Sequence, residues 1–315
     1  MTQPAIQVQD LSKYYGPVMA VDHVNFSVQP GELVGFLGNN GAGKSTTMRV
    51  LTTFLPASSG YARVAGYDVM YQADDVRRNL GYLPESVPLY PEMRVEEYLT
   101  YRAKLKGVDR AVRANRIGES LERCRIREVR RRLLGTLSKG YRQRVGLADT
   151  LLSDPPVLIL DEPLSGLDPV QQEETLASIR GLGGKHTVLF SSHHLPDVEK
   201  VCDRVIIINR GRIRFDGRLS DIRASLPIAV VEARGPRDQI EPLVARFDGV
   251  TDVKEVSPDP ADDGVVAFEV RAVPGKDVRE GLAKRLIEKG YPVRRLELRR
   301  EKLEDIYMRS AVRGE

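Results

Sequence analysis

The chain has 315 residues, 41% hydrophobic and 29% charged, which fits a globular protein longer than one domain of about 100 to 200 residues and points to two domains. Its net charge of +4 is the small difference between 48 basic and 44 acidic side chains, too balanced to announce a general nucleic-acid binder. No apolar run approaches the ~20 residues of a membrane-spanning helix, residues 1–10 lack the basic and apolar regions of a secretory signal, and Cys124 and Cys202 lack metal-ligand spacing, so a reducing, cytoplasmic setting is expected.

Residues 7–15 and 24–28 read as strands, Pro30 and Gly31 as a turn, and 33–37 as a buried strand running into Gly38. The segment Gly38-Asn39-Asn40-Gly41-Ala42-Gly43-Lys44-Ser45 fits the phosphate-binding pattern G-x-x-x-x-G-K-[ST], lying between strand and helix as the mechanism demands. Glycines let backbone N–H groups converge on phosphate oxygens and the helix start adds its dipole. Lys44 brings a point charge, and the Ser45 hydroxyl is a ligand for Mg2+. Thr46 follows as a further nucleotide-binding candidate, the helix continues over 45–55, and turn-forming residues at 56–60 close it.

Residues 91–134 are charge-rich and mostly helical, with Val95, Tyr98 and Leu99 at helical spacing, and read as an inserted helical subdomain within about 88–150. Arg123, Arg125, Arg127, Arg130, Arg131 and Arg132 crowd a helical segment that could face phosphates, anionic lipid or an acidic partner; a solvated helix face is the simpler reading. At Ser138-Lys139-Gly140 a helix begins, and its hydroxyl, free amides and dipole make a second anion site. The plainer reading makes Ser138 an N-cap alone.

The apolar run 157–160 ends in Asp161 and Glu162, and similar runs at 187–190 and 205–208 are separated by helical patterns, the alternation of an α/β sheet buried on both faces. A carboxylate at the carboxyl end of such a strand faces the phosphates, and two adjacent ones can divide the work, Asp161 toward metal and Glu162 toward a water. An Asp-Glu strand end by itself is more often a pair of solvated acids. Together with the phosphate loop it marks a P-loop NTPase.

Past about Ser225 the pattern changes: a strand near 229–232, a helix over 238–247, a strand at 251–256, an alternating strand through Val266, Phe268 and Val270, a helix through Val278, Leu282 and Leu286, and a strand at Leu296 and Leu298. The order β-α-β-β-α-β suggests a small ferredoxin-like domain over 225–315, following a first domain over 1–224, with a hairpin tip at 258–264. No residue of 226–315 forms a metal, nucleophile or phosphate constellation, so ligand sensing and dimer stabilisation are both open to it, the second being favoured.

The segment Leu137-Ser138-Lys139-Gly140-Tyr141-Arg142-Gln143-Arg144-Val145-Gly146-Leu147-Ala148 resembles the signature element of ABC ATPases, LSGGQ-x-QR, at about the family's distance before the strand-ending acids. Other elements of that family occur in order: Tyr15 where an aromatic stacks on adenine, Glu85 after Gly81-Tyr82-Leu83-Pro84, Ser165-Gly166-Leu167-Asp168 as the D-loop, and His193 after Ser191-Ser192. The resemblance implies ATP and Mg2+ as cofactors. It assigns Tyr15, 38–46, Glu85, Ser138, Gly140 and Asp168 to nucleotide, and Ser45, Asp161 and Glu85 to metal. Glu162, His193 and Lys44 become catalytic, polarising the water, positioning it against the γ-phosphate and offsetting charge.

It further implies a head-to-tail homodimer with two ATP molecules between phosphate loop and signature. Three positions depart from the family pattern: Glu85 replaces the usual glutamine, Lys139 and Tyr141 replace Gly and Gln, and Leu164 stands where Thr is common. An ionised Glu85 can still coordinate metal but cannot donate as glutamine does. Leu83-Pro84-Glu85, Leu137 to Tyr141 and the tail Leu303-Glu304-Asp305-Ile306-Tyr307-Met308 are similar to the ABC-2 type exporter branch. A polytopic ABC-2 type permease is then the expected partner, holding the chain on the inner face of the membrane, with no direct nucleic-acid partner. A soluble ABC ATPase acting on nucleic acid or ribosomes is the alternative.

Overall fold

The computed structural model describes residues 3–223, 228–258, 264–273, 276–299 and 303–312. Two compact units divide the chain, Met1–Leu219 with Tyr307–Glu315, and Ser220–Ile306. The junction expected near Ser225 lies outside the described residues, as do positions 259–263 of the expected hairpin tip.

The first unit opens with β1 (Ile6–Tyr15), β2 (Val18–Val28), β3 (Leu33–Leu37), α1 (Lys44–Leu51), β4 (Ser59–Val64), β5 (Tyr67–Asp68), α2 (Ala73–Arg78) and β6 (Leu80–Leu83). A helical arm follows with α3 (Val95–Leu105), α4 (Arg110–Arg123) and α5 (Lys139–Leu151). Then come β7 (Val157–Leu160), α6 (Pro169–Arg180), β8 (Thr187–Ser192), α7 (Leu195–Val201), β9 (Arg204–Asn209) and β10 (Arg212–Arg218), and α8 (Leu219–Arg223) starts at the boundary between the units.

Five strands, β9, β3, β8, β7 and β6, lie parallel in one sheet with β10 as an antiparallel edge, while β2, β1, β4 and β5 form a second sheet. Every residue of β3, β7 and β8 is buried, which is why their centres read as continuous apolar runs, 188–190 in β8, rather than alternating ones. Helix α1 buries Met48, Val50 and Leu51 in a core shared with Ile6 and Phe26 of one sheet and Phe36, Ile159 and Ile206 of the other; the Phe26 and Phe36 rings lie 5.6 Å apart. Because the five parallel strands share a direction, the loops at their carboxyl ends emerge on one edge, where α/β sheets place ligands.

Three local expectations shift. Strand β2 begins at Val18 rather than 24, since pairing with β1 extends to Tyr15↔Val18. Helix α1 ends at Leu51, not 55, where Thr53 turns to a φ of +61°. The arginine segment is not one helix: α4 stops at Arg123, Arg125 has φ +53°, and only a single 3-10 turn, Arg127–Val129, follows. Cys124, Ile126 and Val129 are all buried at a spacing that no single helical face accommodates, so burial bends the chain here.

Within the arm, Val95, Tyr98 and Leu99 form the expected buried stripe. Helices α3 and α5 are joined by charge: Arg102 donates to both oxygens of buried Asp149 at 3.1 and 2.9 Å, and Lys106 Nζ lies 3.2 Å from Asp149 Oδ1.

The second unit contains β11 (Ile228–Arg234), α9 (Arg237–Ala245), β12 (Val250–Val256), β13 (Val265–Ala272), α10 (Arg279–Glu288) and β14 (Val293–Arg299); α11 (Leu303–Val312) closes the chain. The sheet is antiparallel in the order β12-β13-β11-β14, which with two helices packed on it is a ferredoxin-like fold. Ile240 and Val244 of α9 and Leu282 and Leu286 of α10 close its core over Val231, Phe268 and Val270.

Candidate active site

The phosphate loop leaves β3 at Gly38 in a space that admits no side chain: a Cβ there would meet the Ile208 carbonyl oxygen at 2.4 Å. Gly43 holds φ +110° directly before α1, a conformation an L side chain adopts only with strain. The loop's concave side is filled by Lys44, 5% exposed, whose ammonium donates to the carbonyls of Gly38 at 2.7 Å and Asn39 at 3.3 Å.

Parallel pairing of β7 with β8 sets Leu160 against Phe190, so that Asp161 and Glu162 emerge beside Ser191 and His193. Ser191 Oγ donates to Asp161 Oδ1 at 2.7 Å and accepts from the Glu162 amide at 2.8 Å. Ser45 Oγ donates to the same Asp161 oxygen at 3.3 Å. The Glu162 carboxylate divides between two partners. His193 Nδ1 is 2.9 Å from Oε2, while Oε1 makes an ion-pair contact of 3.2 Å with Lys44 Nζ that is not a directed hydrogen bond. Lys44, Ser45, Asp161, Glu162 and His193, five of the residues picked from the sequence, thus form one connected cluster. Ser191 is its missing member, and its only trace in the sequence is its place two residues before His193.

Tyr82, half-buried between Asp161 and Glu85, has its phenol pushed up to about 12, first by burial and then by the Asp161 charge. Glu85 itself is exposed past β6 and makes no hydrogen bond or ion pair among the described residues, so the structure does not bring it onto Ser45 and Asp161. Tyr15 ends β1 with its ring exposed, Lys13 Nζ lying 5.5 Å from its centroid.

No hydrogen bond or ion pair among the described residues joins the signature residues to this cluster. Ser138 caps α5, accepting from the Tyr141 amide at 3.4 Å, so the N-cap geometry and the free helix amides coexist. Gly140 is buried against Gln171, whose amide a Cβ would strike at 2.1 Å, and Gln171 is the residue whose backbone N–H Asp168 caps at 2.9 Å. Signature and D-loop are thereby held together. Lys139 crosses Gly166 of the D-loop, and Tyr141 donates to Glu128 at 3.0 Å under the Arg144 guanidinium, so the two departures from the family pattern have local structural partners.

The donor set at Ser45 and Asp161, one hydroxyl and one carboxylate with oxygens 3.3 Å apart, fits Mg2+. This ion takes one or two protein oxygens and completes its octahedron with water and phosphate. Among the described residues no group of three or more His, Cys, Asp or Glu gathers as a metal cage.

Comparison with known proteins agrees with this geometry. The ABC transporter family profile matches residues 21–165. An uncharacterized ABC transporter ATP-binding protein of Bacillus subtilis (strain 168) is 34% identical over 304 residues, spanning 96% of this chain and 98% of that protein. The daunorubicin/doxorubicin resistance ATP-binding protein of Streptomyces peucetius is 34% identical over 264 residues, 82% and 80% of the two chains. A solved ATP-binding subunit of an ABC transporter superposes with a TM-score of 0.64 at 33% identity, covering 70% of this chain and 92% of its own. Glycine cradle, paired carboxylates, histidine and relatives together identify the chain as a member of the ABC transporter ATP-binding family, an ATPase of the α/β P-loop fold.

Proposed function

We propose that the chain energises a separate ABC-2 type membrane permease, in an exporter, by binding two ATP molecules between two copies of itself and hydrolysing them there. One observation carries this reading: the Lys44-Glu162-His193 cluster and the Ser138 helix terminus are both built to meet phosphate, yet share no hydrogen bond or ion pair among the described residues. Two anion sites for one γ-phosphate call for a second copy. The relative named for daunorubicin/doxorubicin resistance supports the export direction. Among the described residues no helix is long and apolar enough to cross a membrane, so the spanning part is assigned to the partner.

In this reading, the backbone amides of 41–45 receive the β- and γ-phosphates, and Lys44 exchanges the Gly38 and Asn39 carbonyls for phosphate oxygens. Tyr15 stacks on adenine, while Ser138 and Gly140 of the other copy close over the γ-phosphate and Asp168 lies at the same seam. Ser45 and Asp161 would hold Mg2+, which would supply charge neutralisation on the phosphates. Glu162 takes up proton density from the attacking water, and the His193 bond to Oε2 fixes the carboxylate that does so. A groove of about 370 Å³, lined by Arg49, Phe54, Tyr82, Val87 and Tyr98 beside the Glu85 turn, would receive a permease segment and carry the closing motion to it.

Three of the six arginines have partners within the chain, which favours the solvated-face reading over a nucleic-acid surface: Arg127 pairs with Glu122, Arg130 lies 3.8 Å from Glu96, and Arg132 bonds the Thr136 carbonyl. Purification from a mild detergent extract of the source cells separates the two readings. A polytopic membrane protein is expected to co-elute with the chain. Retention on RNA that falls steeply with salt, with no membrane protein in the eluate, would replace the permease with a nucleic-acid partner.

A further inference from the structure

Asn39, in the outer arm of the phosphate loop, is anchored more completely than its exposed position suggests. Its carbonyl accepts from the Ala42 amide at 3.0 Å and from Lys44 Nζ at 3.3 Å, which holds the main chain. Its side chain is held from the far end of the protein: the Tyr307 hydroxyl donates to Asn39 Oδ1 at 2.7 Å, across a separation of 268 positions. Tyr307, in α11, belongs with the nucleotide-binding unit rather than with the ferredoxin-like unit that immediately precedes it. The phenol is half-buried, and burial followed by the Glu162 charge pushes its pKa up. It therefore remains a protonated donor at neutral pH and stands within the field of the carboxylate assigned to the attacking water.

From this geometry we infer that Tyr307 is a positioning residue of the nucleotide site, fixing the Asn39 carboxamide so that its Nδ2 amide is turned to the phosphate side of the loop. The planarity of the carboxamide gives the mechanism. With Oδ1 committed to Tyr307, the Nδ2 amine is confined to the other arm of the same plane, about 120° from the carbonyl bond, and the amide no longer rotates freely in solvent. Ordering that side chain before ATP arrives removes an entropic cost from binding, so the contact acts on affinity. A tail residue reaching the loop also ties the integrity of the C-terminal helix to nucleotide affinity. The inference rests on the assignment of 38–46 to the phosphates.

The test is ATP affinity of the full chain, measured calorimetrically with Mg2+ chelated so that no turnover occurs. Tyr307→Phe keeps the ring and loses the donor, and is expected to weaken ATP binding about fivefold, the effect of one hydrogen bond. Asn39→Ala should weaken it at least as much, and the double variant should be no weaker than Asn39→Ala alone, because both remove one contact. Affinity unchanged in Tyr307→Phe, or effects that multiply in the double variant, would overturn the inference. So would a Tyr307→Phe protein whose only change is a lower unfolding midpoint, which is the signature of plain packing. If Lys44→Ala and Asn39→Ala both left ATP affinity intact, the phosphate-loop assignment itself would fall, a result distinct from failure at Tyr307.

Discussion

Glu162 leaves β7 with a φ of +46°, a left-handed conformation that costs a non-glycine residue about 1–2 kcal/mol. The strain is held by Ser191, whose hydroxyl accepts from the Glu162 amide while donating to Asp161, and its effect is to turn the carboxylate back between Lys44 and His193. Glu162→Gln keeps that backbone and the side chain's volume but removes the proton acceptor. Steady-state phosphate release should fall about 10²–10⁴-fold, with ATP affinity within a few-fold of the parent, because the phosphate contacts are untouched. Turnover near the parent's would move the base elsewhere. Lys44, Asp161 and Glu162 were legible in the sequence itself, since a phosphate loop and a strand-ending acid pair restrict those positions to few residue types, whereas His193 came only through the family resemblance. Ser191 was not legible, because a serine acquires this role only through the register that sets β7 against β8. Glu85 and Tyr15 are likewise drawn from the family resemblance, and among the described residues no hydrogen bond or ion pair ties either one to the cluster.

Among the elements, the arm depends most on charge. Asp149 on α5 is 7% exposed and gathers Arg102 and Lys106 from α3, with Lys106 also bonded to the Asp149 carbonyl. Asp149→Ala leaves two partly buried cations without their carboxylate. It should lower the unfolding free energy by about 2–3 kcal/mol in urea titration, below the 3–5 kcal/mol of a fully buried pair because Arg102 and Lys106 retain some solvent. A loss under about 0.5 kcal/mol would show that the helices are held by apolar packing alone. Strands 33–37, 157–160, 187–192 and 204–209 could be read closely from the sequence, because buried parallel strands are plain apolar runs with sharp ends. The end of α1 and the path of 123–132 could not. The residues of 52–55 and the arginines are all acceptable in a helix; Thr53 and Arg125 nevertheless adopt positive φ, the second between the buried side chains of Cys124 and Ile126.

At the scale of the whole molecule, two units were legible because their grammars differ, long apolar runs with a glycine loop against short alternating strands, and the β-α-β-β-α-β order sufficed for the ferredoxin-like sheet. The return of Tyr307 to the first unit was not, since a contact across 268 positions leaves no periodic trace. Nor does any hydrogen bond or ion pair among the described residues join Ser138 to the Lys44 cluster, and on that observation rests the proposal that catalysis belongs to a pair of copies. Light scattering on the Glu162→Gln protein during size exclusion, with and without Mg2+ and ATP, addresses this directly. The account predicts 35.2 kDa without nucleotide, twice that mass with ATP, and no ATP-driven shift once Ser138→Arg is added, since the longer side chain fills the space at the helix terminus that the γ-phosphate enters. A protein that stays at 35.2 kDa with ATP tightly bound, or one that doubles equally well with Ser138→Arg, would contradict it.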